Sequence, residues 1–167
     1  RRSVEWCPDS GATTSTVESL DTRAGTSLTV SMGTLTVRGS TQASTLAGSL
    51  SVQGGTFTAN GTMSAASVAQ SGGTLAVGSA GALTATSLGL SGGTLSVAGT
   101  LSANTLAQSG GVLQVAGSTA QATTGTFTQS GGSVAGSGGF TGAGAGIRST
   151  GRAAGAGRAA DWVAGAG

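Results

Sequence analysis

SGGTLAVGSAGALTATSLGL (Ser71–Leu90) is followed at once by SGGTLSVAGTLSANTLAQ (Ser91–Gln108), and then by a third Ser-Gly-Gly (Ser109–Gly111). The triplet returns after 20 residues and again after 18, each time leading into a short run of alternating apolar and polar residues. A quasi-repeat of that length is one coil of a β-solenoid, a chain that winds back over itself and stacks like on like.

Working outward, the same phrasing divides the chain into coils at Thr34–Gly55, Thr56–Gly73, Thr74–Gly93, Thr94–Gly111 and Val112–Gly132. Their unequal lengths are what a solenoid tolerates, because extra residues bulge at a corner without disturbing the stack. The coil from Thr94 holds three alternating pieces, Thr94 to Val97, Thr100 to Ala103 and Thr105 to Gln108, separated by Gly99, Asn104 and Ser109 to Gly111. Gly and Asn supply the backbone conformations that corners need. The sequence thus predicts an all-β, single-stranded parallel β-helix with three short strands per coil and a roughly triangular section.

Alternation at period two sorts the side chains. The first inward face takes Leu35 and Val37, Phe57 and Ala59, Leu75 and Val77, Leu95 and Val97, then Val112 or Leu113 with Val115. The second takes Met63 and Ala65, Leu83 and Ala85, Leu101 and Ala103. The third takes Leu50 or Val52, then Val68, Leu88, Leu106 and Phe127. Two residues beyond the third face stands Gln70, Leu90, Gln108 or Gln129, with Gln53 as the expected equivalent in the first coil. Strand parity points these glutamines inward, where a stacked column can hydrogen-bond along the axis. If the strand ends before them they begin the corner and point out. The corner glycines are Gly55, Gly73, Gly93, Gly111 and Gly132.

Three regions follow. Residues 1–24 form an irregular lead-in or cap, in which Thr16 to Leu20 has some strand character and Trp6 either covers an open end or contacts a neighbouring domain. Residues 25–132 form about five coils. Residues 133–167 are a Gly/Ala-rich tail, in which Ser133-Val134-Ala135 begins a further partial coil and Phe140-Thr141 makes another fragment. Ala153 to Ala164, whose glycines make it a poor helix, reads as linker or tail with Trp162-Val163 as its anchor. The lone Cys7 excludes an internal disulfide and a multi-Cys metal site, leaving a free thiol or a bridge between chains.

Composition narrows the chemistry. Of 167 residues 33 are Gly and 7% are charged, with no His and no Tyr; ordinary domains carry about 25% charge. No charged residue lies between Arg38 and Arg148, so the middle of the chain cannot neutralise phosphates and is no nucleic-acid footprint. No run is long and apolar enough for a transmembrane helix. Sugar hydrolysis needs paired carboxylates, and the repeats have none. Without His there is no His-based triad, and a nucleophilic Ser requires a base beside it. Calcium sites of the glycine-rich nonapeptide kind need Asp in every repeat, but Asp occurs only at Asp9, Asp21 and Asp161. The Gly-Gly pairs lack the Lys-Ser/Thr of a phosphate loop. Asn60-Gly61-Thr62 matches a glycosylation acceptor in form but is better explained as a turn. The chain is expected to be no enzyme and to need no cofactor.

The outward positions are Thr34/Thr36, Thr56/Thr58, Thr74/Ala76, Thr94/Ser96 and Thr126/Thr128. Such a surface lacks the charged gatekeepers that keep β structure from self-association. At the pattern carried by Gly54-Gly55-Thr56-Phe57, Gly72-Gly73-Thr74-Leu75 and Gly92-Gly93-Thr94-Leu95, the chain from about Gly25 to Gly132 resembles the passenger regions of bacterial autotransporters and related surface adhesins. That resemblance implies a right-handed parallel β-helix outside the cell, serving as stalk or adhesive surface. The leading expectation is a structural module of an extracellular or cell-surface fibre, partnered by copies of itself or by adjoining repeats. Five coils give only roughly 24 Å of rod, which implies polymerisation or a longer chain. A carbohydrate- or surface-binding adhesin is the second expectation, although exposed aromatics for sugar stacking are missing. Ice binding through a Thr array is the third, with Ala76, Ser96 and Gln114 interrupting the rank.

Overall fold

The computed structural model describes residues 2–6, 14–39 and 41–142. In chain order the strands are β1 (Arg2–Trp6), β2 (Thr14–Val17), β3 (Thr26–Val30), β4 (Thr34–Val37) and β5 (Ser44–Val52). They continue as β6 (Thr56–Ala59), β7 (Thr62–Gln70), β8 (Thr74–Val77), β9 (Ala82–Leu90) and β10 (Thr94–Val97). The last are β11 (Thr100–Gln108), β12 (Val112–Val115), β13 (Gln121–Gln129), β14 (Ser133–Gly136) and β15 (Gly139–Gly142). Odd-numbered strands form one parallel sheet and even-numbered strands a second, each in strict sequence order, so the described chain is a parallel β-solenoid of about six turns without helices.

Each coil therefore has two strands, not the three expected. The expected second and third faces are one nine-residue strand, as in β9, β11 and β13. Asn104 is a bend inside β11 rather than a break. Leu101 and Ala103 point in, Asn104 and Thr105 both face solvent, and Leu106 and Gln108 point in again. The register runs Ala103↔Thr124 and then Thr105↔Thr126, with Asn104 and Gly125 stepping out of it together. Two successive outward residues turn the strand while its coil-to-coil hydrogen bonds continue on either side.

The ladder extends beyond the 25–132 block in both directions. β1 pairs with β3 from Arg2↔Thr26 to Trp6↔Val30, and β2 pairs with β4 from Thr14↔Thr34 to Val17↔Val37. At the other end β14 stacks on β12, and β15 on the first half of β13. The expectations for Cys7, for Ala153 to Ala164 and for Trp162-Val163 lie outside the described residues, as does the side chain of Trp6.

The interior is six columns of side chains. Leu35, Phe57, Leu75, Leu95, Leu113 and Val134 form one, and Val37, Ala59, Val77, Val97 and Val115 its neighbour. From the long strands come Ser44-Met63-Leu83-Leu101-Ala122-Phe140 and Leu46-Ala65-Ala85-Ala103-Thr124. Leu28-Leu50-Val68-Leu88-Leu106-Phe127 runs beside them. Size alternates across the interior as close packing requires. Phe127 lies edge-on to Phe140, with ring centroids 5.1 Å apart and planes at 70°, where Ala122 and Thr124 leave room. The sixth column carries the glutamines.

The two corners differ. Between a long strand and the next short one, Ser-Gly-Gly is nearly invariant in length. Gly73, Gly93, Gly111 and Gly132 there have φ of 60°, 75°, 67° and 77°. A Cβ on Gly93 would also lie 2.6 Å from the carbonyl carbon of Gly72 in the coil beneath. Gly55 lacks the positive φ but is hemmed in by Gly33 O at 2.6 Å. Between a short strand and the next long one the length varies. Asn60-Gly61 and Ala98-Gly99 suffice in two coils, while Gly78 to Gly81 and Gly117 to Ala120 close tight turns of their own, Gly81 N donating to Gly78 O at 2.8 Å and Ala120 N to Gly117 O at 3.2 Å. The surplus residues of the longer coils sit there, except for one in the first coil, which bulges within β5 between Leu46 and Ser49.

Candidate functional surface

Two sets of polar groups repeat along the axis, one inside and one outside. The inside set is the glutamine column. Its members in order are Val30, Val52, Gln70, Leu90, Gln108 and Gln129. Gln53 does not belong to it: Val52 is the partner of Gln70, and Gln53 is exposed on the next residue. β5 and β7 end in register at Val52 and Gln70, so Gln53 takes the corner place that Ser71 fills in the next coil. Gln70 and Gln108 are each 1% exposed and Gln129 7%, so these three point inward.

They do not form a continuous amide ladder. Gln70 Nε2 donates to Thr94 O at 2.8 Å and Gly73 O at 3.2 Å, and Gln108 Nε2 to Ser133 O at 2.9 Å and Gly111 O at 3.3 Å. Each side chain thus reaches round its own Ser-Gly-Gly corner and ties it to the first residue of the short strand one coil above. A single amide-to-amide bond joins Gln129 Nε2 to Gln108 Oε1 at 3.4 Å. Leu90 interrupts the column, and Gln70 Oε1 is buried without a hydrogen-bond partner. The glutamines brace corners.

The outside set is made of hydroxyls. On the short-strand sheet one outward column is Thr14, Thr34, Thr56, Thr74 and Thr94 in register, followed by Val112. The column beside it is Thr16, Thr36 and Thr58, then Ala76, Ser96 and Gln114. None of these eight Thr hydroxyls bonds to another described residue, whereas Thr26, Thr105 and Thr124 spend theirs on backbone carbonyls. The Thr126/Thr128 pair belongs to the long-strand sheet and is not part of this rank. Thr14/Thr16 is part of it. The lead-in hid that pair because Ser15 stands where later coils put Leu35 or Phe57.

The long-strand sheet carries two hydroxyl columns of its own. Thr45, Ser64, Thr84, Ser102, Thr123 and Thr141 form one, and Ser27, Ser49, Ser67, Ser87, Thr105 and Thr126 the other. The in-strand bend lies between them. They are visible in the sequence only once the three-strand register is replaced by the two-strand one.

Among the described residues charge is confined to the N-terminal end, at Arg2, Glu5, Glu18, Asp21, Arg23 and Arg38, and Asp21 Oδ1 accepts from Thr45 N at 2.9 Å, holding the chain beside β5. No group of three or more His, Cys, Asp or Glu that could hold a metal occurs among the described residues. Nor is any helix among them long and apolar enough to cross a membrane. No protein-family model matches this chain, and no curated protein or solved structure matches it either.

Proposed function

We propose that this chain is a non-catalytic structural module, a rigid rod segment of an extracellular or cell-surface fibre that works by stacking with copies of itself or with adjoining repeats. The observation that carries this is the continuous parallel pairing from β1 to β15, shifted only by a one-residue bulge in β5 between Leu46 and Ser49, with every described coil bonded only to the coil above and the coil below. Stability in such a stack is a sum of nearest-neighbour interfaces, so length can be added without redesigning the interior. About six coils at roughly 4.8 Å make a rod of about 29 Å, short for a spacer on its own. The uncharged outward faces, from Thr41 through β15, suit lateral or end-on contact, because bringing two such faces together leaves no ion unpaired. Resemblance of the repeat phrasing to adhesin passengers supports the location outside the cell.

Negative-stain images and sedimentation velocity of the purified chain test this reading. Rods or filaments whose length grows with protein concentration are expected. Compact monomers at all concentrations up to the millimolar range would remove the self-stacking part of it.

A further inference from the structure

The short-strand sheet presents a two-dimensional grid of unengaged Thr hydroxyls, and we propose that this face binds the surface of ice. Five successive coils place Thr in the first column, and the first three repeat it in the second, from Thr14/Thr16 through Thr34/Thr36 to Thr56/Thr58. Parallel in-register stacking sets the repeat along the axis at about 4.8 Å, and two residues along a strand set the cross repeat at about 6.6 Å. Prism faces of hexagonal ice offer repeats of the same order in two directions.

The chemistry of the face selects the occupant. Each Thr hydroxyl both donates and accepts, as every water of the lattice does. The β-branch restricts χ1, so neighbouring hydroxyls keep one spacing, which the mixed Ser and Thr columns of the other sheet do not secure. Above Arg38, which stands just past the end of β4, no ionisable group among the described residues flanks the array. A charged partner such as a nucleic acid or an anionic membrane would lose hydration there without compensation. An aromatic-stacking sugar would find no exposed ring among the described side chains, since Phe57, Phe127 and Phe140 are buried. The bulky Val112 and the exposed Gln114 mark the upper limit of the grid, and Ala76 and Ser96 keep its second column low. This inference does not depend on the rod role, because a monomer carries the whole face.

Growth of single ice crystals in the presence of the purified chain tests it, read as the gap between melting and freezing points and as crystal shape. Faceted crystals and a measurable gap are expected from the unaltered chain. Thr56→Lys, at the centre of the grid, should abolish both, and the near-isosteric Thr56→Val should reduce the gap several-fold. Thr84→Lys, exposed on the other sheet, should leave the gap unchanged, and all three variants should keep the β-type dichroism of the parent. Round crystals with no gap would overturn the proposal. So would equal loss on Thr84→Lys, or retention on microcrystalline cellulose or dimerisation without any effect on ice growth.

Discussion

At the scale of single residues, glycine is the clearest case of one residue type doing two unlike jobs. Gly93 has φ of 75° and the carbonyls of Gly72 and Gly73 beneath the place where a Cβ would sit. Gly89, outward on β9, has nothing within 4 Å of that place. Gly93→Ala should therefore lower stability by about 1–3 kcal/mol from backbone strain alone, with the carbonyl clash added. Gly89→Ala should raise it by about 0.5–1 kcal/mol, because a strand glycine gives up more chain entropy than alanine. Urea denaturation of both variants checks the pair, and equal effects would contradict the stacking described. The glutamines divide in the same way. Gln70 has a buried Oε1 with no partner, and Leu90 already occupies the next place in its column. Gln70→Leu should then lie within about 1 kcal/mol of the parent, the lost Nε2 bonds being offset by removal of the unpaired oxygen. Gln108→Leu also takes one acceptor from Gln129, whose Nε2 keeps only Gly132 O at 3.4 Å, and should cost about 1–3 kcal/mol.

At the scale of elements, the two corners respond oppositely to changes in length. Deleting Ser118, Thr119 and Ala120 leaves Val-Ala-Gly-Gln, close to the Val97-Ala98-Gly99-Thr100 of the shortest coils. The change should cost about 1 kcal/mol or less, since loop length enters closure entropy only logarithmically. Deleting Gly111 shifts β12 by one residue and carries Leu113 and Val115 from the interior to the surface. Loss of the thermal transition in dichroism is expected for the second deletion and a small shift for the first. This same contrast explains what could be read in the chain beforehand. Ser-Gly-Gly and the period-two aliphatics Leu75/Val77 and Leu95/Val97 are local signals, so coil boundaries and the short strands were legible. Asn104 was misleading: Asn commonly marks a turn, and nothing within the coil distinguishes a turn from a bend held in register by its neighbours. The inward direction of Gln70 and Gln108 was undecidable for a similar reason, since it rests on hydrogen bonds to Thr94 and Ser133 in the following coil. The Thr grid was half visible, because strand parity identifies outward positions but only sheet membership separates Thr128 from Thr58.

At the scale of the whole molecule, contact geometry is nearly one-dimensional. β10 touches β8 and β12 through backbone bonds, and no ladder joins coils that are not adjacent. A lesion in the middle should then be felt by its neighbours and fade with distance, unlike one in a globular core, where all elements share the same interior. Leu95 is fully buried at the centre of the stack, and Leu95→Ala should cost about 2–5 kcal/mol there. Amide hydrogen exchange on that variant should show protection falling most in β8, β10 and β12, while β3 to β5 keep most of theirs. A uniform fall across all coils would mean that the stack unfolds as one unit. In that event adding or removing coils would change total stability far more steeply than a nearest-neighbour rod allows, and the case for an extensible module would weaken with it.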